Sequence, residues 1–292
     1  MLILPASTYN TTEFMSAAGE LDVVVVAASD RGQVLESQFP EGMLQLDFDE
    51  PGRVVEQISE YDRQWPLHSI IGVDDHAAWL ATLACEALSI PHNSPEAVRA
   101  AGSKLLMRQQ LQSSGLPTPA FEVVDVNGDA GEIAARVRYP CVLKPLFLAA
   151  SRGVIRADDA EQFAAAFERI GKLLSQPHIA RRGGEAAKQV LVEEYVSGAE
   201  VALEGLLVTG RLRVLALFDK PDPLEGPYFA ETIYVTPSRL NPEMQSRVAR
   251  QVEAAADALG LREGPVHAES RVPLAGCVRG CSSSARAFRS RN

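Results

Sequence analysis

Hydrophobic positions along this chain change their period several times, and each change marks an element. Leu2–Pro5 is a short apolar run. Asp22–Ala28, DVVVVAA, is a near-continuous β-branched run, a pattern that fits a strand covered on both faces in a parallel sheet. A helical segment near Glu13–Ala18 lies between them, after the Ser/Thr-rich stretch Ala6–Thr12. Ser69–Val73 is a third apolar run; Asp74 and Asp75 follow it and suit the N-terminus of a helix over Ala77–Leu88. Strands alternating with helices predict an open α/β sheet. No glycine fingerprint follows the first strand, so a dinucleotide site is not expected there.

Ser94–Gly115 is punctuated as one helix. Ser94 is the cap, Pro95 the first helical position and Gly115 the end, with Pro117 and Pro119 beyond. Lys104 falls in its middle, where a solvated face is the plain reading. Phe121–Val126 reads as a strand, Glu132–Val137 as a short helix, and Pro140–Leu143 as a strand that delivers Lys144. Phe147–Val154 is a loop of small residues with Ser151, Arg152 and Gly153. It suits a plain turn, or a site where backbone N–H groups and a guanidinium meet phosphate. Asp158 and Glu161 form a capping box for a helix to about Leu174, whose Phe163, Phe167, Ile170 and Leu174 are core. Pro177–Lys188 is polar and glycine-bearing and reads as a mobile loop.

Val190–Val208 reads as a strand, a turn at Gly198 and a second strand, with Val201, Leu203, Gly205 and Leu207 on one side at period two. Glu193 and Glu194 close the first strand and Glu200 follows the turn; alone, they suit a surface hairpin with solvated acids. Leu212–Phe218 is a strand, Asp219–Tyr228 an irregular loop carrying Lys220, and Ala230–Thr236 a strand carrying Glu231. Asn241 and Pro242 open a helix that Leu259 and Gly260 end. Gly264–Glu269 begins a strand in which His267 and Glu269, two apart, share a face.

The 292 residues allow two domains, or one with two or three lobes. With 46% hydrophobic and 23% charged residues the composition is that of an ordinary globular protein. A net charge of −10 argues against a general basic field for nucleic acid or an acidic membrane. The longest apolar run, Val23–Ala28, is too short to span a bilayer, and the N-terminus carries no signal-peptide pattern. Cys85, Cys141, Cys277 and Cys281 form no disulfide framework, which fits a reducing, cytoplasmic setting.

Lys104, Lys144, the Ser151–Gly153 loop, Glu193–Val196, Glu200 and Glu269 follow one another in an order that resembles the ATP-grasp superfamily, and within it the carboxylate–amine ligases that join amino acids or similar small substrates. The resemblance implies an α/β fold: a Rossmann-like open sheet over 1–93, then a two-lobed ATP-grasp domain over 94–269, with a smaller nucleotide-clamping lobe at about 118–196 and a second, incomplete lobe from about 197. It implies ATP and Mg2+ as cofactors and a small carboxylate and amine as partners, with the oligomeric state open. Lys104 and Lys144 would meet the phosphates, covered by Ser151, Arg152 and Gly153; Lys144 and Arg152 would be catalytic. Relatives carry another glycine where Ala149 or Ala150 stands. Glu193 and the backbone of Glu194, Tyr195 and Val196 would read adenine, and Glu200 the ribose. Glu269 would be the first magnesium ligand, with Lys220, Glu231 and His267 on the substrate side.

After Glu269 the resemblance stops. Relatives continue in strand and present a second metal carboxylate; here SRVPLAGCVRGCSSSARAFRSRN has no acid and no strand or helix period. Ser270–Asn292 is therefore expected to be a shifted frame or truncated product, without structure, leaving the catalytic lobe incomplete. A zinc site on Cys277 and Cys281 lacks local ligands. The rival readings are a non-catalytic ATP-binding remnant or regulatory protein, and another ATP-grasp activity such as a carboxylase, for which no biotin-related feature speaks.

Overall fold

The computed structural model describes residues 1–5, 11–31, 42–148, 151–222, 225–229, 233–272 and 285–289. In chain order its first part comprises β1 (Leu2–Ile3), α1 (Thr11–Glu20), β2 (Ala27–Ser29), β3 (Met43–Gln45), α2 (Pro51–Gln64), β4 (Ile71–Gly72) and α3 (Asp75–Leu88). The strands form a parallel sheet in the order β3-β2-β1-β4. Val54 and Ile58 of α2 and Leu80 and Ala84 of α3 pack with Ile3, Ala28 and Leu46 of the sheet side. Asp74 caps α3 by accepting from the Ala77 N–H at 2.7 Å. A side chain at Gly72 would collide with the backbone of Ala77 and Ala78, so glycine lets α3 sit directly on β4. One expectation is corrected here. Only the end of Asp22–Ala28 pairs; Val24 is 92% exposed, because the strands are two or three residues long and offer no partner further back among the described residues.

The Ser94–Gly115 segment is two helices, α4 (Pro95–Gly102) and α5 (Lys104–Ser113). Ser103 sits between them at φ −107° and ψ 114°, ending one helix while its hydroxyl accepts from Leu106 N–H to start the next. Lys104 thus opens a helix instead of lying inside one. Next come β5 (Phe121–Asp125), α6 (Ala130–Arg136), β6 (Cys141–Pro145), β7 (Ile155–Ala157), α7 (Ala160–Leu174), α8 (Pro177–Gly183) and β8 (Gln189–Glu194). These strands form an antiparallel sheet, β5-β8-β6-β7. Phe163, Phe167, Ile170 and Leu174 of α7 bury themselves against it, as their spacing predicts. The cap of α7 is Asp159, which accepts from Gln162 N–H; Asp158 instead pairs with Arg156. Pro177–Lys188 is not an open loop but α8 followed by a 3-10 turn, anchored by buried Ile179 and Ala187.

The largest correction concerns Val190–Val208. β8 and β9 (Ala199–Val208) do not pair with each other. β9 joins β10 (Arg211–Lys220), β11 (Gly264–Val272) and β12 (Ala285–Arg289) in a third sheet, ordered β10-β9-β11-β12 and antiparallel throughout. Residues 195–198 therefore cross between two sheets, and Gly198 takes φ 131° in that crossing, a conformation that suits glycine. The tight turn lies later, at Thr209 and Gly210, both with positive φ. The helix α9 (Pro242–Leu259), capped by Asn241 and closed by Gly260 in the left-handed conformation, packs Val248, Val252 and Leu259 on Val201, Leu203 and Val266.

The expected break at Glu269 falls inside β11, which continues through Ser270, Arg271 and Val272 beside β9; residues 285–289 pair with β11 from the other side. The unstructured tail expected from Ser270 is corrected for those residues. Cys277 and Cys281, with the rest of 273–284 and 290–292, lie outside the described residues, as do Ala149, Ala150 and Glu231. Among the described residues no helix is long and apolar enough to cross a membrane. Since Arg271 is 2% exposed within a paired strand, trypsin should spare the Arg271–Val272 bond while the native state persists. Mass mapping of early tryptic fragments checks this, and a prompt cut there contradicts the strand.

Candidate functional site

The site is built around the crossing at residues 195–198, with a buried charge cluster at each end. At the β8 end, Glu193 is 2% exposed. Arg108 of α5 donates to it through Nε at 2.7 Å and Nη2 at 3.4 Å, and Lys144 of β6 donates from its ammonium. Burial opposes the charged carboxylate, but the Arg108 guanidinium and the Lys144 ammonium outweigh it and hold Glu193 well below the usual carboxylate range. The β6–β8 register places Val142 opposite Glu193 and Leu143 and Lys144 just beyond, so the sheet itself brings lysine to acid.

At the β9 end, strand alternation sorts the residues. Val201, Leu203, Val266 and Ala268 face α9 and the core. Glu200, Glu204, His267, Glu269 and Arg271 take the alternate positions and so share the opposite face. The register then pairs them across strands: Arg271 with Glu200, His267 with Glu204, and Lys220 of β10 with Glu200. Lys220 donates to Glu200 at 3.0 Å and to Glu269 at 2.5 Å. Burial lowers its pKa, and the two carboxylates raise it further than burial lowers it. His267 donates through Nδ1 to Glu204 at 2.6 Å, with Nε2 3.7 Å from Glu269. Burial works against its charge, but the hydrogen bonds to Glu204 and Glu269 push its pKa up to about 9, so it is an imidazolium at neutral pH. Arg271 joins the two ends: it donates to Glu200, to Tyr195 Oη at 3.2 Å and to the Gly198 carbonyl at 3.4 Å.

Most residues singled out in the sequence thus gather along one line. Lys144, Glu193, Glu200, Lys220, His267 and Glu269 occupy the two clusters, and Glu194, Tyr195 and Val196 form the link. Lys104 donates to the Leu148 carbonyl at 2.7 Å, where the chain enters the small-residue loop. Ser151, Arg152 and Gly153 line a cavity of about 490 Å³ shared with Tyr228 and Phe229. A larger groove, about 870 Å³, runs between β7, α7 and residues 225–228 and shares Ile155, Arg169, Lys172 and Tyr228 with that cavity. Among its polar side chains, Arg156 pairs with Asp158 and Lys172 with Glu168.

Two site residues escape a reading of the sequence, Arg108 and Arg271. Arg108 falls on one helical stripe with Lys104, Met107 and Leu111; a cation among buried positions is the available signal. Arg271 continues the period-two series of His267 and Glu269, but the Arg-, Ser- and Gly-rich composition of residues 273–292 hides it.

Among the described residues no group of three His, Cys, Asp or Glu is arranged to hold a metal. Glu269 offers one carboxylate, already facing Lys220 and His267. That donor set suits magnesium only in its usual form, with one or two carboxylates and the remaining positions filled by phosphate oxygens and waters.

Replacing Glu193 by Gln removes the carboxylate that Arg108 and Lys144 share, which should cost roughly 3–5 kcal/mol in urea unfolding. The acid limb separates this from simple misfit. A depressed native pKa contributes stability that is complete above the unfolded value, 4.5, and is lost as pH falls below it. Wild type should therefore lose stability on acidification that Glu193→Gln has already lost; parallel acid limbs contradict the ion pair.

Residues 137–280 match the family model described as ATP-grasp domain. The chain is 29% identical over 217 residues to an uncharacterized protein of Sinorhizobium fredii, covering 73% of this chain and 43% of that one. It is 25% identical over 231 residues to alanine–anticapsin ligase of Bacillus subtilis, covering 75% and 48% respectively. The structure of an L-amino acid ligase from Bacillus licheniformis superposes with a TM-score of 0.74 at 22% identity, over 93% of this chain and 63% of that chain. The chain spans about half the length of the curated relatives it matches.

Proposed function

We propose that this chain, whose residues 137–280 match an ATP-grasp domain, is an ATP- and magnesium-dependent carboxylate–amine ligase. The observation that carries the reading is the line of charged groups from Lys144 and Glu193, across residues 195–198, to Glu200, Lys220 and Glu269. Cations and acids gathered along an exposed backbone link are what a nucleotide triphosphate needs: charge for the phosphates, backbone for the base and a carboxylate for the ribose. The alanine–anticapsin ligase match supports an amino acid or a similar small molecule as the carboxylate.

In this reading the purine lies against the crossing. The N–H groups of Glu194 and Tyr195 already donate to the Ala120 and Pro140 carbonyls, so the base meets the backbone beyond them, at Val196. Glu193, enclosed by Arg108 and Lys144, does not face the base but aims the Lys144 ammonium. Lys144 and Lys104 offset phosphate charge, and Ser151, Arg152 and Gly153 cover it. Glu200 accepts from the ribose hydroxyls. Glu269 would hold magnesium, which would offset phosphate charge there. A carboxylate oxygen of the substrate attacks the γ-phosphorus, the bond to the bridging oxygen breaks and ADP leaves. The amine nitrogen then attacks the acyl carbon, loses a proton, and phosphate departs with the C–O bond electrons. His267 and Lys220, both cationic beside Glu269, would orient an anionic substrate group; Glu231 is a substrate-side residue by the sequence resemblance alone.

A second reading, ATP binding without ligation, is favoured by the absence, among the described residues, of a group of acids arranged to hold a metal around Glu269. The two separate in one assay. Ligation predicts ADP release that needs magnesium and both a carboxylate and an amine, and that Glu269→Ala abolishes; binding alone predicts none under any mixture of amino acids. Both predict that ATP raises the melting temperature by mass action. Lys144→Ala should reduce that upward shift by more than half, with its own ligand-free midpoint as reference. An undiminished shift removes Lys144 from the nucleotide site.

A further inference from the structure

We propose that Arg271 is a positioning residue for the nucleotide ribose: it fixes the Glu200 carboxylate to the crossing at residues 195–198, and so makes nucleotide binding selective for the ribose hydroxyls. The proposal rests on the reading of Glu200 as the ribose acceptor and adds a residue to which neither the family match nor any sequence motif gives a role.

The geometry is that of a clamp. Arg271 lies at 2% exposure and Glu200 at 8%. Nε of Arg271 donates to Glu200 Oε2 at 3.2 Å, and Nη2 lies 3.2 Å from the same oxygen. Nη1 turns the other way, to Tyr195 Oη and the Gly198 carbonyl. The guanidinium also lies 5.3 Å from the Tyr195 ring centroid and 6.0 Å from that of Phe229. A planar fork held on several sides has little freedom left to lose when a ligand arrives. Lys220 is a different kind of partner. It meets Glu200 through Oε1 but divides its ammonium between Glu200 and Glu269, and its stem is flexible. An ionised carboxylate has about four acceptor sites. With Arg271 on one oxygen and Lys220 on the other, Glu200 keeps acceptor capacity in a fixed direction, which is what a vicinal diol requires. Because the same guanidinium binds the Gly198 carbonyl, the ribose acceptor and the backbone that meets the base are set in one frame.

Equilibrium binding of ATP and of 2′,3′-dideoxy-ATP to the full chain, without carboxylate or amine, tests this. Hydrogen bonds to a charged acceptor should give wild type a preference for ATP of about tenfold or more. Arg271→Met keeps the buried stem and removes the fork; ATP should bind about tenfold more weakly while the dideoxy nucleotide changes by no more than about twofold, so the preference collapses. Arg271→Lys should restore part of it. Tyr195→Phe keeps the ring and deletes one contact of the fork; it should lower the preference about two- to threefold, and it decides the matter if Arg271→Met does not fold. Equal weakening of both nucleotides, or an unchanged preference in the folded variants, overturns the assignment. If Glu200→Gln loses the preference and the Arg271 variants keep it, the ribose reading stands and Arg271 alone is removed. If wild type binds ATP with no ribose preference, Glu200 is not the acceptor and the proposal falls with it; if wild type does not bind ATP, the nucleotide reading fails too.

Discussion

The fold depends on enclosing Glu193. A carboxylate at 2% exposure is stable only because two cations reach it from different elements, Arg108 from α5 and Lys144 from β6. Each ion of such a cluster carries a desolvation cost of several kcal/mol, so the arrangement holds only when all three members are in place. The ion pairs therefore do more than fasten a helix to a sheet. They determine where β8 ends, and the chain leaving β8 becomes the crossing to the third sheet. Arg271 repeats the device at the other end, again with an arginine buried against a glutamate.

Between these two points the charged row follows from one structural rule. An antiparallel sheet covered by α9 on one face leaves every second residue of β9 and β11 on the other. Glu200, Glu204, His267, Glu269 and Arg271 are those second residues, and the register sets acids of β9 opposite cations of β11. Slipping β11 by one residue would turn His267, Glu269 and Arg271 toward the hydrophobic core. The packing of α9 thus sets the geometry of the acids and the bases together.

The parts of the fold legible in the sequence obey local rules. The α7 stripe, the caps of α3 and α9, the alternation of β9 and the shared face of His267 and Glu269 all read directly from spacing. The parts that were not legible depend on partners far along the chain. Asp22–Ala28 has the composition of a buried strand, yet only its end finds neighbours. Val190–Val208 has the form of a hairpin, yet β8 and β9 pair with β5, β6, β10 and β11 instead of each other; spacing cannot reveal that a turn is a crossing. Ser103 ends one helix and caps another because it follows Gly102, a weak helix former, and its hydroxyl suits a cap. Arg271 is hidden by its neighbours: Ser270, Arg271 and Val272 complete a regular strand just before a stretch whose composition predicts none.

The central claim is that the crossing, and not the groove along α7, holds the nucleotide. Photolabelling with 8-azido-ATP and tryptic mapping of the product tests it most directly. The uninterrupted peptide Gln189–Arg211 contains β8, the crossing and β9. The label is expected in that peptide, competed by ATP. Label confined to Ala157–Arg169, along the α7 groove, would contradict it.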